Sequence, residues 1–153
     1  MGLDIEAYKK MKKAAYPERD VDGGLVDWEN LVEIDQSTLD YTEQYFKGRT
    51  QGLVAGVYSP DDSLRFRAGA YSYYNRFREK LENIASNSQL FELIIFSDCE
   101  GFIGPIVSKK LAKDFNDLEE TAREKLDEYD FETYLNFKKA FELASEEGCV
   151  QFM

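Results

Sequence analysis

The chain contains no histidine in 153 residues. Ser-His-Asp and Cys-His systems need an imidazole to take a proton near neutral pH, so both are excluded. The chain also has only two cysteines, Cys99 and Cys149. They form no CxxC pair and no disulfide framework, and a structural zinc site cannot be assembled from them. Catalysis, if there is any, must rest on carboxylates, Tyr, Lys, Arg or an oxygen-bound hard cation. No cofactor and no protein-bound metal is expected.

Long apolar runs are missing too. No stretch of 18 apolar residues occurs, which predicts no transmembrane helix. Met1-Gly2-Leu3-Asp4 has neither the basic nor the apolar region of a signal peptide. Glu6 stands where myristoylation wants Ser or Thr, and Cys149 lies one residue too far from Met153 for prenylation. A reducing cytoplasm is the expected setting. There is no repeat, linker or low-complexity segment, so residues 1–153 are expected to form one globular domain.

Positive charge is in deficit: 19 basic against 30 acidic residues, net −11. Residues 117–147 hold 11 acids and 4 bases, whereas residues 47–80 hold 7 bases and 3 acids. The acidic excess would repel a phosphate backbone, so nucleic-acid binding is not expected. Mimicry of a nucleic acid by the acidic helices stays open, although acids on helices ordinarily form a solvated face. Aromatics are plentiful at 14%, enough for a substantial core.

Leu3, Ile5 and Ala7 alternate with Asp4, Glu6 and Tyr8, the period of a half-buried strand. A second strand is expected at Leu31–Ile34. Ser37-Thr38-Leu39-Asp40 resembles a helix start, and Gly48 would close that helix. Val54–Tyr58 and Leu64–Arg67 flank Ser59-Pro60-Asp61-Asp62-Ser63, which predicts a β-hairpin. A helix capped by Ser72 runs to about Ser86 with Tyr74, Phe77, Leu81 and Ile84 on one face. Leu90–Phe96 is rich in aromatic and β-branched residues and predicts a buried strand. Gly104-Pro105 opens the longest helix, whose stripe runs through Val107, Leu111, Phe115, Leu118, Ala122 and Leu126. Asp130 would cap a last helix with Phe131, Tyr134, Leu135, Phe141 and Ala144 inward. Gly148 would stop it before a terminal strand, Cys149–Phe152. The expected fold class is α+β, a mostly antiparallel sheet with three main helices on one face. The expected core includes Phe77, Leu81, Leu93, Ile95, Leu111, Phe115, Leu135 and Phe141.

Three blocks are similar to a family of small uncharacterised proteins encoded by bacteria and by phages or prophages. They are Met1-Gly2-Leu3-Asp4-Ile5-x-Ala7-Tyr8, Phe66-Arg67-Ala68-Gly69-x-Tyr71-Ser72-x-Tyr74-Asn75-x-Phe77-Arg78, and Phe91-Glu92-Leu93-x-x-Phe96-Ser97-Asp98-x-Glu100-Gly101-x-Ile103-Gly104-Pro105. The similarity extends through Lys110–Phe115 and the Gly148-x-Val150-x-Phe152 tail. It implies a cytosolic bacterial or phage protein and no particular activity. Members often end in His after the final Phe, where this chain has Met153, so a role for that imidazole does not carry over.

Two groups of residues could carry chemistry. Asp98 and Glu100 lie two apart and would share a side if extended. They could hold a hard cation or form an acid–base pair. They could equally satisfy the free N–H groups of the helix that starts at Pro105. Cys99 between two acids makes a poor thiolate and reads as a small buried hydrophobe. The second group is Tyr71, Asn75 and Arg78 with Arg67 nearby, where Arg forks suit an anion and Tyr offers a stacking plane. Internal ion pairing with the acidic helices is the competing reading. The Tyr16, Trp28, Tyr41 and Tyr45 set reads as core or rim packing. Two functions follow: a non-enzymatic module binding a protein partner or small anionic ligand, or a small carboxylate-dependent enzyme or sensor using Asp98 and Glu100, with Mg²⁺ as an option. Oligomeric state is not legible. A shared site would bring Arg67 or Arg78 to Asp98 or Glu100.

Overall fold

A computed structural model describes residues 2–97 and 100–153. These residues form seven strands and five helices, and every strand pairing is antiparallel. The fold is α+β. The expected sheet is in fact two. Strands β1 (Leu3–Lys9), β5 (Asp62–Gly69), β6 (Gly101–Ile103) and β7 (Cys149–Phe152) form one sheet in the order β5-β1-β7-β6. Strands β2 (Lys12–Lys13), β3 (Val32–Ile34) and β4 (Gly56–Ser59) form the other, in the order β2-β4-β3.

Alternation along β1 decides which side chains go where. Leu3, Ile5 and Ala7 are fully buried, and their cross-strand neighbours Phe66 and Phe152 lie on the same face. This first face joins a core with Phe77 and Leu81 of α2 (Tyr71–Ile84), Leu111 and Phe115 of α4 (Pro105–Lys125), and Phe137 and Phe141 of α5 (Glu128–Ala144). The second face carries Asp4, Glu6, Tyr8, Arg65, Arg67, Gln151, Cys149 and Phe102. Phe102 and Cys149 pack there against Val32 and Ile34 of the small sheet and Leu39 of α1 (Gln36–Tyr45). The Cys149 thiol is fully buried, and that burial holds its proton on.

Several local expectations are corrected. Leu90–Phe96 is not a strand. Leu90 takes a left-handed conformation (φ 58°), its N–H donates to the Asp114 carboxylate at 2.9 Å, and the short helix α3 (Phe91–Ile94) follows. A short apolar run without periodicity fits a buried strand and a buried turn equally well. The residues around Pro60 join no hairpin, because β4 and β5 belong to different sheets. The chain does not reverse there: Ser59 pairs with Lys12 and Asp62 with Lys9, so β4 and β5 run in the same direction beside β2 and β1. Ile95 and Leu135 are 42% and 39% exposed rather than core.

Capping differs as well. Asp35, not Ser37, caps α1 by accepting from the Thr38 N–H at 2.8 Å. Ala70 precedes α2 without a side-chain cap, so Ser72 does not serve as one. Asp127, not Asp130, caps α5, accepting from the Asp130 N–H at 2.8 Å. α1 ends at Tyr45, before Gly48, and α5 ends at Ala144, before Gly148.

Freed from capping, Asp130 ties α5 to α2. It is buried, accepts a hydrogen bond from the Tyr73 hydroxyl at 2.8 Å, and pairs with the Lys80 ammonium. Burial pushes its carboxyl up, but Lys80, Tyr73 and Asp127 outweigh that and hold it below the usual carboxylate range. A depressed folded value means the unfolded chain binds the proton more readily. The stabilisation is therefore present above about pH 4 and is lost as pH falls through the folded value. Asp130→Asn is expected to lower stability at neutral pH and to flatten the acid limb of the stability profile. Urea midpoints measured from neutral pH into the acid range decide this. A variant limb as steep as the parent's would show that Asp130 does not contribute.

Candidate binding face

The two edges of the larger sheet are treated differently. At β6 the Phe102 N–H points to Thr42 Oγ1 of α1 at 3.4 Å, and the Gly104 N–H just beyond donates to the Arg49 carbonyl at 2.7 Å. That edge is covered. β5 is eight residues long and pairs only with β1. Among the described residues its outer edge meets no other strand. An uncovered edge of this length leaves a row of backbone donors and acceptors facing outward.

Beside that edge, the second face of the sheet forms the floor of a groove of about 830 Å³. Glu6, Tyr8, Arg65 and Gln151 line the floor, the segment from Leu25 to Glu33 makes one wall, and residues 60–63, where β4 passes into β5, the other. The wall is knitted by its own polar contacts. The Asp20 carboxylate accepts from the Asp22 and Gly24 N–H groups, both at 2.9 Å, and Arg19 pairs with Glu33 at 2.5 Å. Trp28, the only tryptophan in the chain, stands on this wall with 68% of its surface exposed. Tyr16, Tyr41 and Tyr45 are exposed too, so none of this set is core.

Charge in the groove is partly compensated. Of its five carboxylates, Glu6 meets Arg65 at 3.2 Å, Asp61 meets Lys12 at 3.4 Å, and Glu33 meets Arg19. Glu29 and Asp62 have no cationic partner among the described residues. On the floor the Tyr8 hydroxyl donates to Glu6. Burial and then the Glu6 carboxylate push the Tyr8 phenol far above its ordinary value, so it stays a neutral donor at physiological pH. A phenol held in that state suits binding better than proton transfer.

The sequence-derived candidates fall in three places. Arg78 and Asn75 come together: Arg78 Nη2 donates to Asn75 Oδ1 at 2.5 Å, and Nη1 donates to the Ile94 carbonyl at 2.6 Å. The Arg78 guanidinium also lies 5.0 Å from the centre of the Tyr74 ring. Asn75 and Arg78 line a cavity of about 380 Å³ with Glu79, Glu82, Ile94 and Ser97. Tyr71 is half-buried against the main core. Arg67 stands apart on β5, 3.5 Å from Asp4. Glu100 is exposed immediately before β6. β5 and β6 are opposite edges of the sheet, about 14 Å apart at roughly 4.8 Å per strand. Asp98 and Cys99 lie outside the described residues.

The groove itself escaped the sequence reading. Four separate segments build it, so no local spacing marks it, and the only signal was an isolated Trp28 in a polar stretch. Among the described residues no helix is long and apolar enough to cross a membrane. Comparison of the chain with models of protein families, with curated proteins and with solved structures finds no match.

Proposed function

We propose that this chain is a non-enzymatic binding module that receives an extended segment of a protein partner along the second face of its larger sheet. The observation that carries this reading is the unpaired edge of β5 running beside a groove with an exposed tryptophan. Backbone groups at a sheet edge supply affinity for a strand-like segment, and alternate side chains entering a groove supply selectivity. Trp28 gives such a segment a large, rigid surface to stack on. In keeping with the family it resembles, the protein would act inside a bacterial cell, as a host or phage factor.

Trp28 also provides the test. Peptides selected from a displayed random library are titrated against the protein while tryptophan emission is followed. Peptides seated in the groove shift or quench that emission, and calorimetry with Trp28→Ala shows affinity reduced about tenfold or more, as for an aromatic hot spot. Selected peptides that leave the emission unchanged and bind Trp28→Ala as well as the parent would overturn the proposal. So would a library that yields no binder.

A further inference from the structure

We infer that the strand accepted by β5 carries carboxylates alternating with apolar residues, an inference that rests on the binding-module reading above. On the second face, β1 presents Asp4 and Glu6, and β5 answers with Arg67 and Arg65 at the opposed positions. Both arginine side chains remain largely open, 59% and 69% exposed. Each guanidinium has five N–H donors, and the contact with β1 occupies only part of them. A third strand placing carboxylates opposite Arg65 and Arg67 continues the acid–base–acid ladder across the sheet. On the other face, Leu64 and Phe66 are only half-buried. They lie at the margin of the main core, so the intervening residues of the incoming strand should be apolar.

The wider charge distribution favours the same partner. β5 lies within residues 47–80, which carry 7 bases against 3 acids in a chain of net charge −11. A second copy of the chain is the obvious competitor, and its own charges oppose it. Directly opposed residues of an antiparallel pair share a face. The longest registers of β5 against itself that keep the faces matched place Arg65 opposite Arg65, or Arg65 opposite Arg67. Like charges directly opposite destabilise a pair. The charged face of β5 therefore selects a different strand.

The experiment compares blocked peptides alternating valine with glutamate, with lysine and with serine, each titrated against the parent protein by calorimetry at low salt. The glutamate peptide is expected to bind about fivefold or more tightly than the serine peptide and tighter still than the lysine peptide. The doubly substituted Arg65→Gln/Arg67→Gln protein, checked for an unchanged melting profile, should lose that preference. Amide exchange along Asp62–Gly69 should slow at alternate residues when the glutamate peptide is bound. Equal or reversed preference overturns the inference, and so does a glutamate preference that persists in the double variant. If library-selected peptides still occupy the Trp28 groove in that case, the binding-module reading stands without it.

Discussion

Gly148→Ala is expected to remove the folded state or to lower its stability by about 4 kcal/mol or more, the range reserved for gross steric conflict. A methyl group at this position would lie 1.7 Å from the Tyr8 carbonyl oxygen and 2.7 Å from its carbon, with the Ala144 Cα at 3.2 Å. All three are backbone atoms, so no side chain can swing aside. The Tyr8 carbonyl belongs to β1, and Tyr8 pairs with Cys149 of β7. Relief would mean prising the last strand from the centre of the sheet. Gly48→Ala is the control, because Gly48 has a left-handed φ of 88° but open space around its Cβ position. It should lose only about 1 kcal/mol, for backbone strain. Chemical denaturation of both variants separates close approach from strain. Gly148→Ala within about 1 kcal/mol of the parent would show that the two chain segments are not in contact as described.

Phe137→Ala is expected to cost about 3–5 kcal/mol, combining lost transfer energy with an unfilled cavity. The ring is fully buried and stands at the junction of α5 with the sheet. It meets Phe66 edge-on at 5.1 Å between centroids and stacks on Phe77 at 5.6 Å. It also approaches Tyr74, Phe141 and Phe152 at 6.3, 6.3 and 6.4 Å. Rings from three helical or strand elements besides its own surround it, so collapse around the missing side chain would have to move several of them. Leu135→Ala, two residues away and 39% exposed, should lose well under half as much. Comparable losses in urea denaturation would sink the assignment of faces on α5.

That pair of residues shows where sequence reasoning stops. Residues 131–141 carry Phe131, Tyr134, Leu135, Phe137 and Phe141, apolar on more than one side. Placing Leu135 inward and passing over Phe137 follows from hydrophobicity without an anchored phase. The spacing 134, 137, 141, 144 would have supplied one, and all four are buried. Where a pattern is strict, the reading holds: the alternation of Leu3, Ile5 and Ala7, the stripe of α4 behind Pro105, and the Cys149–Phe152 strand are all present. The strand partners of Val57 and Leu64 were not legible, because pairing between distant segments leaves no local trace. For the candidate residues, spacing on one helix joined Asn75 to Arg78 correctly. The relation of Arg67 to Glu100 depended on strand order, which spacing does not encode.

The strand order has a consequence for the newly synthesised chain. β7 lies between β1 and β6, so Ile5 finds its neighbour Phe152 only when residue 152 has left the ribosome. Until then β1 has β5 on one flank and an apolar, unsatisfied edge on the other, and β6 has no strand beside it. Contacts between segments so far apart in sequence form slowly, because loop closure must be overcome before any of them stabilises the fold. A nascent chain stalled before Cys149 would leave the edge of β1 from Ile5 to Tyr8 without its partner strand, open to chaperones and proteases. Completion of the sheet thus doubles as a proof that translation passed β7.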